Sequence, residues 1–250
     1  MDTTEATNPP VETKSRWEDY LDVFFSPGEL FRRRANDRLG PPLITLLVLA
    51  TAFYYILLPA QKMILRAQME LAMPEGGLPP GAEKMMNLMP IFGGIMQPII
   101  YLIMTALTAF LLWALCRAVG AKPTFRQMMI VSTYTMFIFL LGQIAGWVAV
   151  MLHGPAGLEP LKHMTFGVTR FMDTKNTSKA LVGLLGIFSI FAIWQAVLWA
   201  IAVHVVTGVS KGKAAMVAIG TWLLTGLPGI IGGLMSGGAA GPGGVQVQVE

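Results

Sequence analysis

The sequence predicts an all-α integral membrane protein, a five-transmembrane-helix bundle with N-terminal cytoplasmic amphipathic helices. Composition is the first reason: 54% of the 250 residues are hydrophobic and only 13% are charged, about half the ~25% of an average soluble domain. The second is five apolar stretches, 42–60, 94–116, 128–152, 180–206 and 214–235, without a single Asp, Glu, Lys or Arg. The third is an uneven distribution of Lys and Arg between the two sets of connections.

Residues 1–15, rich in Thr, Glu, Asn and Pro, cannot bury enough apolar surface to offset the entropy of ordering, which predicts a disordered N-terminus. Residues 16–41 read as cytoplasmic interfacial helices. Trp17, Tyr20, Leu21, Phe24 and Phe25 follow the spacing of one helical face, with Arg16, Glu18, Asp19 and Asp22 elsewhere around it. Ser26-Pro27-Gly28-Glu29 then has a Ser cap, Pro at the first helical position and Glu three residues after the cap. The second helix should place Leu30 and Phe31 on its apolar side and Arg32, Arg33 and Arg34 toward water, and Gly40-Pro41-Pro42 should end it. Two readings stand side by side: a surface element on anionic lipid, where each base contributes ~1 kcal/mol, or a plug packed beneath the bundle.

The membrane domain is expected over 42–235. The 19 residues of 42–60 extend ~28 Å as a helix at ~1.5 Å per residue, close to the bilayer hydrocarbon thickness. Spans of this length are helices, because lipid offers the backbone no hydrogen-bond partner. The connection 61–93 opens as a helical continuation, breaks at 74–81, and carries Met63, Met69, Met73, Met85, Met86 and Met89. With His153, His163 and Met164 on the same side, a Cu(I) site is one reading, and apolar packing by flexible thioethers is the stronger one. Gly142 and Gly146, with Gly183 and Gly186, should let helices approach closely. Residues 236–250 form a flexible Gly-rich tail.

Counting Lys and Arg places eleven before the first span, in 117–127 and in 207–213, against seven in the alternate connections. The positive-inside rule then puts the N-terminus in the cytoplasm and, after five crossings, the C-terminus outside. A net charge of +4 spread along the chain implies no nucleic-acid surface. The single Cys116 excludes an intrachain disulfide and a thiolate zinc cluster. No catalytic motif is present, no enzyme activity is expected, and no cofactor or metal is assigned. Gln97, Gln143, Gln195, Ser132, Thr133, Tyr134 and Ser189 are expected as interhelical hydrogen-bonding groups, and His204 as a hydrogen-bonded residue near the end of the fourth span.

In order and spacing the chain resembles the Yip family of Ypt/Rab-interacting membrane proteins, in its bacterial branch. The resemblance rests on Phe25-Ser26-Pro27-Gly28-Glu29-Leu30-Phe31, Asp37-Arg38-Leu39-Gly40-Pro41, Gly120-Ala121-Lys122-Pro123-Thr124-Phe125-Arg126-Gln127, Tyr134, Phe191-Ala192-Ile193-Trp194 and Ser210-Lys211-Gly212-Lys213-Ala214. It implies a non-enzymatic five-helix protein of a bacterial inner membrane that binds partners and organises membranes. Thr133 stands where eukaryotic members carry Gly before the tyrosine, and the fourth-span glycine is replaced around Ala200 and Ala202. The expected docking surface for a protein partner or anionic lipid comprises Trp17, Tyr20, Phe24, Phe31, Arg32, Arg33, Arg34, Arg117, Lys122, Arg126, Lys211 and Lys213. A small-solute or lipid transporter or channel is the alternative function, and copper handling the third. The sequence leaves homo-oligomerisation open.

Overall fold

The computed structural model describes residues 16–72, 81–173 and 177–237. The expected disorder at 1–15, the 74–80 turn and the tail beyond 237 lie outside the described residues. Ten α-helices are described: α1 Arg16–Phe25, α2 Pro27–Arg34, α3 Gly40–Ile56, α4 Leu58–Ala72, α5 Ala82–Ala118, α6 Phe125–His153, α7 Pro160–His163, α8 Lys179–Gly186, α9 Ile190–Thr207 and α10 Lys211–Gly237. A short 3-10 turn, Val168–Phe171, lies between α7 and α8. Among the described residues four helices, within α5, α6, α9 and α10, are long and apolar enough to cross a membrane, and the bent pair α3–α4 makes a fifth where it is counted as one broken span. The chain is an all-α membrane bundle.

The first expected span is not one straight helix. It bends by 68° between Ile56 and Leu58, because Pro59 lacks an N–H and its ring clashes with the preceding turn, stopping α3 just before it. Sequence hydropathy passes over a single proline, so the expected segment ran on to residue 60. Pro90, Pro98 and Pro228, by contrast, lie inside continuous helices. Gly40-Pro41-Pro42 opens α3, with Pro in its first turn, where the missing N–H costs nothing; α2 has already ended at Arg34.

The expected span 180–206 is likewise two helices. Ser189 caps α9 by accepting a hydrogen bond from the Ala192 N–H at 3.1 Å, and the chain is non-helical from Ile187 to Ser189. The freed backbone pairs with the preceding connection: Val168 N–H donates to Phe188 O at 3.3 Å and Ile190 N–H to Phe166 O at 3.0 Å. Such a break is stable within a membrane domain because protein supplies the hydrogen bonds. The third span follows its sequence signals closely. Thr124 and Gln127 form a reciprocal capping box at the start of α6, satisfying two otherwise orphaned N–H groups.

Helices α5, α6, α9 and α10 surround the main apolar core, where Leu112, Met128, Ile130, Leu198 and Trp199 are buried. A second cluster joins α4 to the outer part of α6 through Ile64, Ala67, Trp147 and Val150. Gly183 of α8 approaches the α10 backbone so closely that an added Cβ would lie 2.7 Å from Gly229 O. Gly142 meets the Phe191 ring. These two glycines serve the close helix approach expected of them, whereas Gly146 faces the Met164 carbonyl of the connecting segment.

Candidate functional site

Helices α1 and α2 fold into a hairpin packed into the bundle. Tyr20 Oη donates to Thr45 Oγ1 at 2.9 Å, and its ring lies 5.2 Å from that of Phe137. Phe24 packs edge-on against Trp194 at 5.6 Å. Phe137 lies twelve residues into α6 and Trp194 thirteen residues from the end of α9, depths of ~18 and ~20 Å along those helices at ~1.5 Å per residue. Val23, Leu30 and Phe31 are fully buried on the inner side. The plug geometry is therefore present. Trp17, Leu21 and Phe25, which the sequence placed on one face with Tyr20 and Phe24, form a separate outward stripe, 75, 62 and 82% exposed.

The hairpin's two arms are tied by charge. Asp19, 1% exposed, pairs with Arg33 and, at 2.9 Å, with Arg34. Arg33 also reaches Asp22 at 2.8 Å, and Arg34 reaches Asp37 at 2.9 Å. Burial works against the charge of Arg33, but its hydrogen bonds to Asp22 and Asp19 and their charges prevail and raise its pKa. Each of these sheltered charges thus has an opposite partner, as burial requires. Sequence reading put these acids simply around the helix. Their role depended on knowing that the chain reverses at Ser26, where the Ser side chain makes no cap hydrogen bond.

The basic connections meet at one end of the bundle. Arg126 donates to Asp37 O at 2.7 Å and Gln127 Nε2 to Asn36 Oδ1 at 2.9 Å, joining the start of α6 to the α2–α3 link. Lys213 Nζ donates to Val119 O at 3.1 Å, joining α10 to the α5–α6 link. Arg117 lies over the Trp113 ring at 4.5 Å. Arg32, Lys122 and Lys211 are exposed. Of the twelve expected surface residues, Phe31 is inside the core, Tyr20 and Phe24 pack into the bundle, and Arg33 and Arg34 are held by internal acids.

The polar groups within the spans mostly bond between or along helices. Ser132 Oγ donates to Thr105 O at 2.8 Å, Trp199 Nε1 to Thr135 Oγ1 at 2.9 Å and Gln195 Nε2 to Thr135 O at 3.3 Å. His204 Nδ1 lies 2.7 Å from Val209 O, where Gly208, at φ 70°, turns the chain out of α9. Among the residues of the copper reading, His153 and His163 stack at 3.8 Å, while Met63 and Met164 pack in the apolar cluster around Trp147. No group of three or more His, Cys, Asp or Glu among the described residues could hold a metal ion.

A family model for the Yip1 domain matches residues 21–233, from within the hairpin to near the end of α10. Membrane protein YknW of Bacillus subtilis (strain 168) is 30% identical over 141 residues, 55% of this chain and 58% of that protein; the chain thus spans under two thirds of that relative's length. No solved structure matches. Over most of its length, from within the hairpin through the basic connections and all the candidate spans, the chain belongs to the Yip1 domain family of membrane proteins.

Proposed function

We propose that the protein is a non-enzymatic membrane scaffold that engages anionic lipid headgroups, or a protein presenting similar acidic groups, through its basic end. The observation that carries this reading is a division of labour among the bases. Arg33 and Arg34 hold the hairpin, leaving Arg32, Lys122 and Lys211 exposed. The described segments at this end, 16–41, 117–127 and 207–213, contain ten Lys and Arg against five Asp and Glu. That excess supports a cytoplasmic position for this end in a bacterial inner membrane, with the C-terminus outside.

The test is an inventory of what the full-length protein holds when extracted from its own membrane directly into native nanodiscs. Enriched anionic lipid or a stoichiometric protein partner is the expected result. Replacing Arg32, Lys122 and Lys211 together by Gln should lower that enrichment several-fold, since each base near an anionic surface contributes about 1 kcal/mol. Nanodiscs holding only the chain and bulk lipid, in bulk proportions for native and variant alike, would overturn the reading.

A further inference from the structure

A cavity of about 290 Å³ opens between α5, α6, α10 and the break joining α8 to α9. It is of the size that begins to admit small ligands. Phe191, Trp199 and Trp222 are among its aromatic walls, and Gln143, Gln195 and Thr108 are among its polar ones. Among the described residues no Asp, Glu, Lys, Arg or His lines it, which favours an occupant without a charge in need of a partner.

Two of its groups lack hydrogen bonds. Thr108 is 0% exposed, and its Oγ1 has no partner; nor does the buried Trp222 Nε1. Thr133, Thr207, Thr221 and Thr225 each donate to the carbonyl four residues back at 2.7–2.9 Å, whereas Thr108 and, one turn before it on α5, Thr105 do not; of these two only Thr108 lines the cavity. A buried polar group without a partner is destabilising, the more so where surrounding lipid cannot supply one. The indole N–H can only donate, so its missing partner is an acceptor, whereas a threonine hydroxyl can donate or accept. The α8–α9 break at the cavity edge is the kind of irregular backbone a membrane domain tolerates where it faces protein or a cavity.

We propose that this cavity binds an uncharged lipid-soluble molecule bearing a carbonyl or hydroxyl oxygen. That oxygen accepts from Trp222 Nε1 and hydrogen-bonds Thr108 Oγ1, while its apolar body lies between the aromatic walls. Either the ester carbonyl of a bilayer phospholipid or a free neutral lipid offers this chemistry.

The probe is decanol carrying a diazirine, photolysed with the full-length protein in nanodiscs and mapped by peptide mass spectrometry. Labelling should concentrate on peptides carrying Trp199 and Trp222. Unlabelled decanol should compete about fivefold better than decane, the equivalent of one hydrogen bond of ~1 kcal/mol. Trp222→Phe, which keeps the ring and removes the donor, should lower that preference, and combining it with Thr108→Val should abolish it. Ala192→Phe, which adds a ring to the cavity wall, should remove the labelling itself, with an unchanged unfolding temperature marking an intact fold. Repeating the labelling in ether-linked phospholipid separates the two sources. Stronger labelling there than in ester-linked lipid identifies a phospholipid carbonyl as the occupant, and equal labelling identifies a free neutral lipid. Labelling spread evenly over the lipid-facing helices, or decane competing as well as decanol in the native chain, would overturn the proposal.

Discussion

Arg34 Nε lies 2.9 Å from Asp19 Oδ2, and the two residues belong to opposite arms of the hairpin that α1 and α2 insert into the bundle. The Asp19 side chain is 2% exposed and that of Arg34 17%, so this pair is screened far less than a surface ion pair. Truncating Asp19 leaves the Arg33 and Arg34 guanidiniums facing each other without their shared anion. Breaking such a buried pair from one side costs about 3–5 kcal/mol. Asp19→Ala should therefore open the hairpin, making the Ser26–Gly28 turn accessible to protease and lowering the unfolding temperature. Glu18→Ala, on the exposed side of the same helix, should change neither.

Gly167 is required by a close approach of backbones. It faces Ser189 in an isolated antiparallel bridge, and an added Cβ would lie 2.1 Å from the Phe188 carbonyl oxygen. A backbone atom cannot swing aside as a flexible side chain can. Gly167→Ala should push the connecting segment off the α8–α9 break and cost about 1–3 kcal/mol, the range for overpacking a fitted site. The measurement is thermal unfolding, with Gly212→Ala as the comparison because nothing lies within 4 Å of a Cβ there. Gly212→Ala should leave the midpoint unchanged or raise it, because Ala is the better helix former by up to about 1 kcal/mol and nothing crowds it there.

How much of this was legible in the sequence varied by element. The α6 helix was readable from its uninterrupted apolar run, expected over 128–152 and found over Phe125–His153, while its start is set by the Thr124–Gln127 capping box, a local signal that the hydropathy pattern does not record. The bend before Pro59 and the break before Ser189 were not, since a hydropathy pattern records burial in lipid without recording backbone direction. Individual signals were nevertheless present: Pro59 as a helix stop and Ser189 as a cap three residues before Ala192. On α1 the aromatic spacing identified a helix but merged two faces, because Tyr20 and Phe24 meet α6 and α9 whereas Trp17, Leu21 and Phe25 do not. The basic end could be anticipated from local charge. Pairing Asp19 with Arg33 and Arg34, or bringing Thr108 and Trp222 to one cavity, required the tertiary fold.

The outward stripe of α1 gives a third prediction. Its inner neighbours pack against Phe137 and Trp194, well along the apolar lengths of α6 and α9, and Ile193 and Val197 on α9 are themselves exposed and apolar. The stripe is therefore predicted to meet lipid acyl chains. Trp17 should be quenched by phospholipids brominated on their acyl chains, and Trp17→Phe should remove that share of the quenching. If the brominated-lipid profile were the same with and without Trp17, the stripe would face water or protein.

The connection after α6 should respond to acid. His163 stacks on His153 at 3.8 Å, and its Nδ1 accepts from the Glu159 N–H at 3.0 Å. Burial, and then the neighbouring charge of His153, hold the His163 pKa below the ordinary imidazole value of 6.5. A folded-state pKa below the unfolded one means that the unfolded segment binds the proton more readily. The stabilising contribution is thus fully present above pH 6.5 and is lost as pH falls through the lower folded value. Protonation also puts a hydrogen on Nδ1, where it opposes the Glu159 N–H, and adds charge beside His153. Hydrogen exchange at the amides of Glu159, His163 and Met164 should show less protection at pH 5 than at pH 7, after correction for intrinsic exchange rates. His163→Gln should flatten that pH dependence. An acid loss of protection that persisted unchanged in the variant would assign the response to another group.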